Sequence, residues 1–190
     1  MSRYVKTQQL IGTALVLFVA SSLASGQQTE PPRGLVRFVS DDGGFEIRLP
    51  GKPTYEKTDV GDPDHPQHQF KAAAGEEGGY LVSYQDNPKL EGANAETLQL
   101  ALKVGRDSVL KVFKGELVDS KEVKLDEKHP GIDFRVTIPQ LKGEAHCRFY
   151  LVGSRLYQIM VIGVPDFVGS RQATRVIDSF RLSADEAPSE

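Results

Sequence analysis

The amino-acid sequence predicts an α+β fold in which an antiparallel β-sheet built of hairpins is flanked by helices on both faces, an α/β/α sandwich. Three observations carry this. Residues 144–163, EAHCRFYLVGSRLYQIMVIG, are the longest apolar run beyond the N-terminal leader and hold a Gly153-Ser154 turn signal at their middle. Ile132, Phe134, Val136 and Ile138 alternate with Asp133, Arg135 and Thr137, as Phe45, Ile47 and Leu49 do with Glu46 and Arg48, the period of a half-buried strand. The third is order along the chain: hairpins, a long helix, three more strands and a closing helix.

At the N-terminus, Arg3 and Lys6, an apolar core over 10–20 and small residues over 21–26 read as a secretory signal. A membrane span needs about 20 apolar residues, so this core is too short for one. Cleavage is expected at Ala24-Ser25-Gly26 or Ser22-Leu23-Ala24, and an uncleaved anchor is the rival reading. No cysteine lies near the cleavage site, so a lipoprotein anchor is not expected. The expected organisation is a signal peptide over 1–26, a linker over 27–34 containing Pro31-Pro32, one domain over 35–183, and a disordered acidic tail over 184–190. The protein is then exported to the periplasm or beyond the cell, with no stable membrane insertion after cleavage.

Composition narrows the function classes. There are 23 basic and 26 acidic residues, a net charge of −3, and no clustered basic surface, which argues against a nucleic-acid partner. Cys147 is the single cysteine, so no intramolecular disulfide can form. Its position on an apolar strand face predicts a packed, inert thiol rather than a reactive one.

The strands begin with a hairpin over 35–40 and 45–50, turned by Asp41-Asp42-Gly43-Gly44 and stopped by Pro50-Gly51-Lys52-Pro53. A polar edge strand follows over 54–60, then a Pro-interrupted loop over 61–68. A second hairpin spans 67–74 and 79–85, with Leu81 and Ser83 on one face of its second strand and Tyr80, Val82 and Tyr84 on the other. Asn87-Pro88 ends it. A helix is predicted over 95–114, with Asn94 as N-cap and Gly115 just past its end. Its buried stripe is Leu98, Ala101, Leu102, Gly105, Val109, Val112 and Phe113, and Gly105 marks a close crossing over a strand. Lys103, Arg106, Asp107, Lys111 and Lys114 then read as a solvated face.

A polar outlying strand over 116–125, with Val118, Val123 and Leu125 as its apolar residues, leads to a type II turn at His129-Pro130-Gly131. After the strand over 132–138 comes the central hairpin. A Gly153-Ser154 II′ turn sets Val152 opposite Arg155, Tyr150 opposite Tyr157, Phe149 opposite Gln158, Cys147 opposite Met160 and Ala145 opposite Ile162. One face is thus apolar except for Gln158. The other is mixed, with His146, Arg148, Tyr150, Tyr157, Ile159 and Val161, and is expected to be partly covered. Ser170 caps a last helix that buries Ala173, Val176, Ile177 and Phe180.

Taken together, SDDGGFEIRLPGKP, GYLVSYQDNP, GELVDSKEVKL, HPGIDFRVTIP, CRFYLVGSRLYQIMVIG and VIDSFRL, in this order, resemble the PsbP-like group of exported domains, many of them uncharacterised secreted bacterial proteins, over about Phe38 to Leu182. The resemblance implies an antiparallel sheet sandwiched by helices and a non-enzymatic, accessory or assembly role on larger complexes. No metal or docking position of the photosynthetic members aligns with a motif here, so no residue role is carried over.

Chemistry-bearing motifs are sparse. Asp62, Asp64, His65 and His68 offer four ligands in one loop, but Pro63 and Pro66 limit their convergence and no recognised metal spacing supports them, so no metal is expected. No G-x-S-x-G, phosphate loop or Cys/His arrangement appears, so neither a cofactor nor catalysis is expected. His129 reads as a turn residue. His146, Arg148, Tyr150 and Tyr157 share one strand face and are the ligand-facing candidates: Arg148 would fork onto an anion while the tyrosines stack. The bland alternative is cross-strand pairs beneath a helix. The functional expectation is a non-enzymatic accessory or binding protein of the cell envelope, whose partner is an envelope protein or a small molecule. The alternatives are a carrier with a pocket beside Arg148, Tyr150 and Tyr157, or an unrecognised hydrolase.

Overall fold

The structure, a computed structural model, describes residues 34–59 and 63–183. The expected leader, the linker up to residue 33, the end of the polar edge strand at 60 and the tail over 184–190 lie outside the described residues. None of the helices among the described residues is long and apolar enough to cross a membrane.

The main sheet has seven antiparallel strands in the order β3 (Thr54–Thr58), β4 (Gln67–Ala73), β5 (Gly78–Asp86), β9 (Arg155–Gly163), β8 (Gly143–Val152), β7 (His129–Ile138) and β6 (Glu116–Leu125). The β8–β9 hairpin lies at its middle in the expected register, from Val152 opposite Arg155 to Ala145 opposite Ile162. Gly153 holds the turn at φ +59°, a conformation that costs a side-chain-bearing residue roughly 1–2 kcal/mol.

Helix α1 (Ala95–Phe113) covers one face of this sheet. Asn94 caps it, its side chain accepting the Thr97 amide. Leu102, Val109 and Phe113 pack onto an aliphatic layer that includes Leu81, Ile132, Val136, Ala145, Leu151 and Met160, together with Phe134 and Phe149. Gly105 meets Phe149, since a Cβ there would lie 3.5 Å from its ring, the close crossing expected. Cys147 is fully buried in the same layer, and burial pushes its thiol pKa upward.

The opposite face is covered differently from a single helix. Helices α2 (Pro165–Val168) and α3 (Arg171–Asp178) share it with a second, three-stranded sheet of β1 (Val36–Ser40), β2 (Phe45–Leu49) and β10 (Arg181–Leu182). The two ends of the domain meet there, Leu182 pairing with Phe45 and Arg181 with Glu46. Phe45, Ile47 and Leu49 point inward from β2, as their period requires, onto Tyr80, Val82, Tyr84, Tyr157, Ile159 and Val161. Phe45 sits within 6.5 Å, centroid to centroid, of Phe38, Phe70, Tyr84, Tyr157 and Phe180.

Three local expectations are corrected. The β6–β7 turn is at Asp126-Glu127, both with positive φ, and Lys128 closes it onto the Leu125 carbonyl. His129-Pro130-Gly131 instead begins β7, and Gly131 is demanded by packing, because a Cβ would lie 2.4 Å from the Tyr150 ring. Lys114, rather than Gly115, takes the left-handed position after α1. Gly115 is there for closeness to β7, since a Cβ would lie 2.5 Å from the Thr137 carbonyl oxygen. Val112, expected in the buried stripe, is 43% exposed, because α1 covers β7 and β8 and leaves the β6 side open.

Candidate functional site

The cross-strand register assembles an ionic group from the ligand-facing candidates and one residue that the sequence had not linked to them. Asp133 on β7 lies opposite Arg148 on β8, and His146 is two residues along β8 on the same face. Arg148 donates from Nε to Asp133 Oδ2 at 2.6 Å and from Nη1 to Asp178 Oδ1 on α3 at 2.8 Å. His146 Nε2 is 3.0 Å from Asp133 Oδ1. Burial alone would push the Asp133 carboxyl up, but hydrogen bonds from His146 and Arg148, then their charges, outweigh it and hold it at about 2. The carboxylate is therefore ionised at neutral pH, and His146 Nε2 donates to it. His146 Nδ1 is buried without a hydrogen-bond partner.

The two tyrosines among the candidates belong to the aromatic layer. Tyr150 stacks on Phe180 at 5.9 Å, and Tyr157 is fully buried with its hydroxyl donating to the Gly43 carbonyl at 2.8 Å. The structure thus brings His146 and Arg148 onto a shared aspartate and places both tyrosines within packed rings. Chemically, the set ties β7 and β8 to α3; a buried pair of this kind is costly to break by removing one partner.

His68, from the candidate metal loop, lies in β4. Its ring stacks on Tyr84 at 4.4 Å and its Nδ1 is 2.9 Å from the Tyr55 hydroxyl. Asp62 is outside the described residues, and no group of three His, Cys, Asp or Glu side chains among the described residues is placed to hold a metal.

On the α1 face, Gln158, the one break in the apolar stripe of β9, is explained by an amide network. Gln67 Nε2 donates to Gln158 Oε1 at 2.7 Å and to Ser83 Oγ at 3.1 Å; Gln69 Nε2 donates to Gln67 Oε1 at 2.7 Å; and Ser83 Oγ donates to Gln158 Oε1 at 3.0 Å. All four side chains are buried, so the hydrogen bonds are what make their burial tolerable.

A concave feature accessible to a partner lies at the end of the sheet where Gly78, Gly143 and Gly163 bring β5, β8 and β9 together. A Cβ on Gly163 would lie 2.1 Å from the Glu77 carbonyl oxygen, and one on Gly78 2.2 Å from that of Ile162, so glycine alone permits this seam. Beside it is a cleft of about 240 Å³ walled by Phe113, Ile138, Leu141, Ile162 and Val164. Leu141 and Val164 are 54% and 42% exposed. Glu76, Glu77 and Glu144 also line the cleft, and none of them makes an ion pair among the described residues. A volume below the roughly 300 Å³ at which small-molecule pockets begin suits an inserted side chain better than a whole ligand. Sequence reasoning missed this cleft; the available signal was glycine at three strand ends.

No protein-family model matches the chain, and no curated protein matches it. Among solved structures it is similar to cyanobacterial PsbP (CyanoP) from Synechocystis sp. PCC 6803, with a TM-score of 0.52 and 12% identity over 84% of this chain and 98% of that one. This chain has the PsbP-like fold. The resemblance read from the strand-end motifs is thus matched by the backbone. Weaker similarities are to a protein of unknown function, PA94 from Pseudomonas aeruginosa, and to a protein from Bacteroides thetaiotaomicron VPI-5482. The first has a TM-score of 0.41 and 9% identity over 74% of this chain and 90% of that one. The second has a TM-score of 0.38 and 13% identity over 77% and 47%.

Proposed function

We propose that this PsbP-like domain is a non-enzymatic, exported accessory protein of the cell envelope that holds a protein partner at the glycine-seam cleft. The observation that carries the reading is the cleft itself: an apolar recess sized for one side chain, with Leu141 and Val164 open to solvent at its walls and unpaired glutamates around it. Exposed aliphatic side chains beside a recess favour docking, and the glutamates favour a partner whose inserted apolar residue is flanked by a basic one. The accessory reading is also favoured by where the reactive side chains lie, since the Cys147 thiol is buried and His146 and Arg148 are engaged by Asp133.

The test is parallel capture from a native envelope extract with the wild-type chain and with Leu141→Asp, after both show the same melting temperature. A protein retained by the wild type and lost from the variant supports the reading. Equal retention by both, or by neither, overturns it. Export is tested separately by sequencing the N-terminus of the mature protein: a start just after Ala24 or Gly26 is expected, and an intact leader in the membrane fraction would count against it.

A further inference from the structure

Five arginines far apart in the sequence share one exposed layer of the fold. The elements β1, β2, β10 and α3 carry Arg37, Arg48, Arg171, Arg175 and Arg181, no lysine or histidine, and two acidic residues, Glu46 and Asp178, in a chain whose overall charge is −3. The layer is continuous, since β10 follows α3 and pairs with β2, and the Arg48 amide donates to Ser179 Oγ at the end of that helix at 2.9 Å. Each arginine points away from the core for a reason of period. Phe45, Ile47 and Leu49 turn inward, so Glu46 and Arg48 turn outward, and their cross-strand partners Arg37 and Arg181 turn with them. On α3, Ala173, Val176 and Ile177 are buried, which leaves Arg171 and Arg175 on the opposite stripe. All five are exposed.

The layer's own carboxylates leave most of this charge unanswered. Glu46 accepts from Arg37 Nε at 2.9 Å, and Asp178 accepts from Arg148 of the main sheet. Arg48, Arg171, Arg175 and Arg181 make no ion pair among the described residues. Arg37 and Arg48 are direct cross-strand partners, and Arg171 and Arg175 lie one helical turn apart, so like charges repel in both places. The layer is bordered by Asp166 on α2 and by the Asp41-Asp42 turn, where the Asp42 carbonyl accepts from Arg155.

Such repulsion is relieved by an anionic surface outside the protein. A sheet and a helix side by side offer breadth, and the aliphatic residue on the outer face of the small sheet, Val39, is 38% exposed. Protein partners are gripped by a few large side chains seated in pockets, whereas spread guanidinium groups with one shallow apolar point match a plane of repeated phosphates. We propose that this arginine layer docks the protein on an anionic phospholipid surface, its guanidinium groups forking onto headgroup phosphates while the domain stays outside the hydrocarbon. The proposal takes from the reading above only the envelope location. The cleft walls Phe113 and Ile162 belong to the α1 side of the main sheet, so a protein docked through its arginines keeps that side clear.

Co-sedimentation of the protein, as recovered after export, with phosphatidylcholine vesicles containing or lacking phosphatidylglycerol tests this. Binding is expected only with phosphatidylglycerol and is expected to be lost at high salt. Arg48→Gln and Arg175→Gln should each weaken it about fivefold, and together about 25-fold, with melting temperatures unchanged. Lys111→Gln, on the exposed side of α1, should leave it as it was. No retention, equal retention on neutral vesicles, or a loss from Lys111→Gln equal to that from Arg48→Gln would each overturn the proposal. Retention on polyglutamate resin without retention on vesicles would assign the layer to an acidic protein and overturn it as well.

Discussion

The two faces of the main sheet are built on different plans. Beneath α1 the layer is largely aliphatic, the cover is one continuous helix, and the polar exceptions are neutral amides bonded to one another. Beneath α2, α3 and the small sheet the layer is aromatic, the cover is assembled from both ends of the domain, and the polar exception is a salt-linked group around Asp133. A continuous helix can match a smooth aliphatic surface by its own periodicity. A composite cover must be held together by something, and there the rings meeting at Phe45 and Phe180 and the Arg148 fork to Asp178 join the pieces.

If that contrast is right, Phe45→Ala should be the most damaging of these changes, at about 3–5 kcal/mol. It removes the ring on which the small sheet, α3 and the main sheet converge, and urea unfolding with near-UV circular dichroism would read both the loss and the loosened aromatic packing. A cost under about 1 kcal/mol would mean that the small sheet is merely appended.

Asp133→Ala should cost about 3 kcal/mol, because it leaves the Arg148 charge half-buried and His146 without its acceptor. Acid offers a gentler version. The Asp133 carboxyl titrates at about 2 in the fold against 3.8 ordinarily, so its contribution is fully present above about pH 4 and is lost as pH falls through about 2. That amounts to about 2 kcal/mol, and Asp133→Asn should flatten this part of the stability-versus-pH curve. An unchanged curve would place the acid sensitivity elsewhere.

On the α1 face, Gln158→Leu should cost about 1–2 kcal/mol despite adding apolar surface, since it strips the acceptor from Gln67 and Ser83. Replacing Gln67, Gln69, Ser83 and Gln158 together by apolar residues of similar volume should recover much of the loss, which thermal melts would reveal. The smallest effect is a gain. Gly105→Ala should stabilise by about 0.5–1 kcal/mol, because its methyl would meet the Phe149 ring at an ordinary 3.5 Å while the helix sheds a glycine. A loss instead would show that α1 is pressed onto the sheet more tightly than that spacing implies.

Legibility followed range. The β8–β9 register and the α1 N-cap could be read because each depends on residues a few positions apart: Gly153 sets the turn, and Asn94 meets the Thr97 amide. Asp133 could not be joined to His146 and Arg148 in advance, since the 139–143 connection carries no turn signal that fixes how β7 meets β8. Gln158 looked like an isolated interruption for the same reason, its partners lying on β4 and β5. The β6–β7 turn was misplaced because Pro130-Gly131 is a strong local turn signal, overridden here by the Tyr150 ring, which claims the space above Gly131.

What the chain determined by itself was therefore its long helix, its main strands, the register of its central hairpin and the side of each of those strands that turns inward, all consequences of backbone preference and side-chain period within short windows. Only the tertiary structure decided that β1, β2 and β10 form a separate sheet, that an aspartate should bind the arginine and histidine of the next strand, and that three strand-end glycines should open a cleft. These depend on which surfaces meet. Such meetings are settled by the sum of many contacts between residues distant in sequence, where each local preference is worth about 1 kcal/mol and burial of one aromatic ring is worth more.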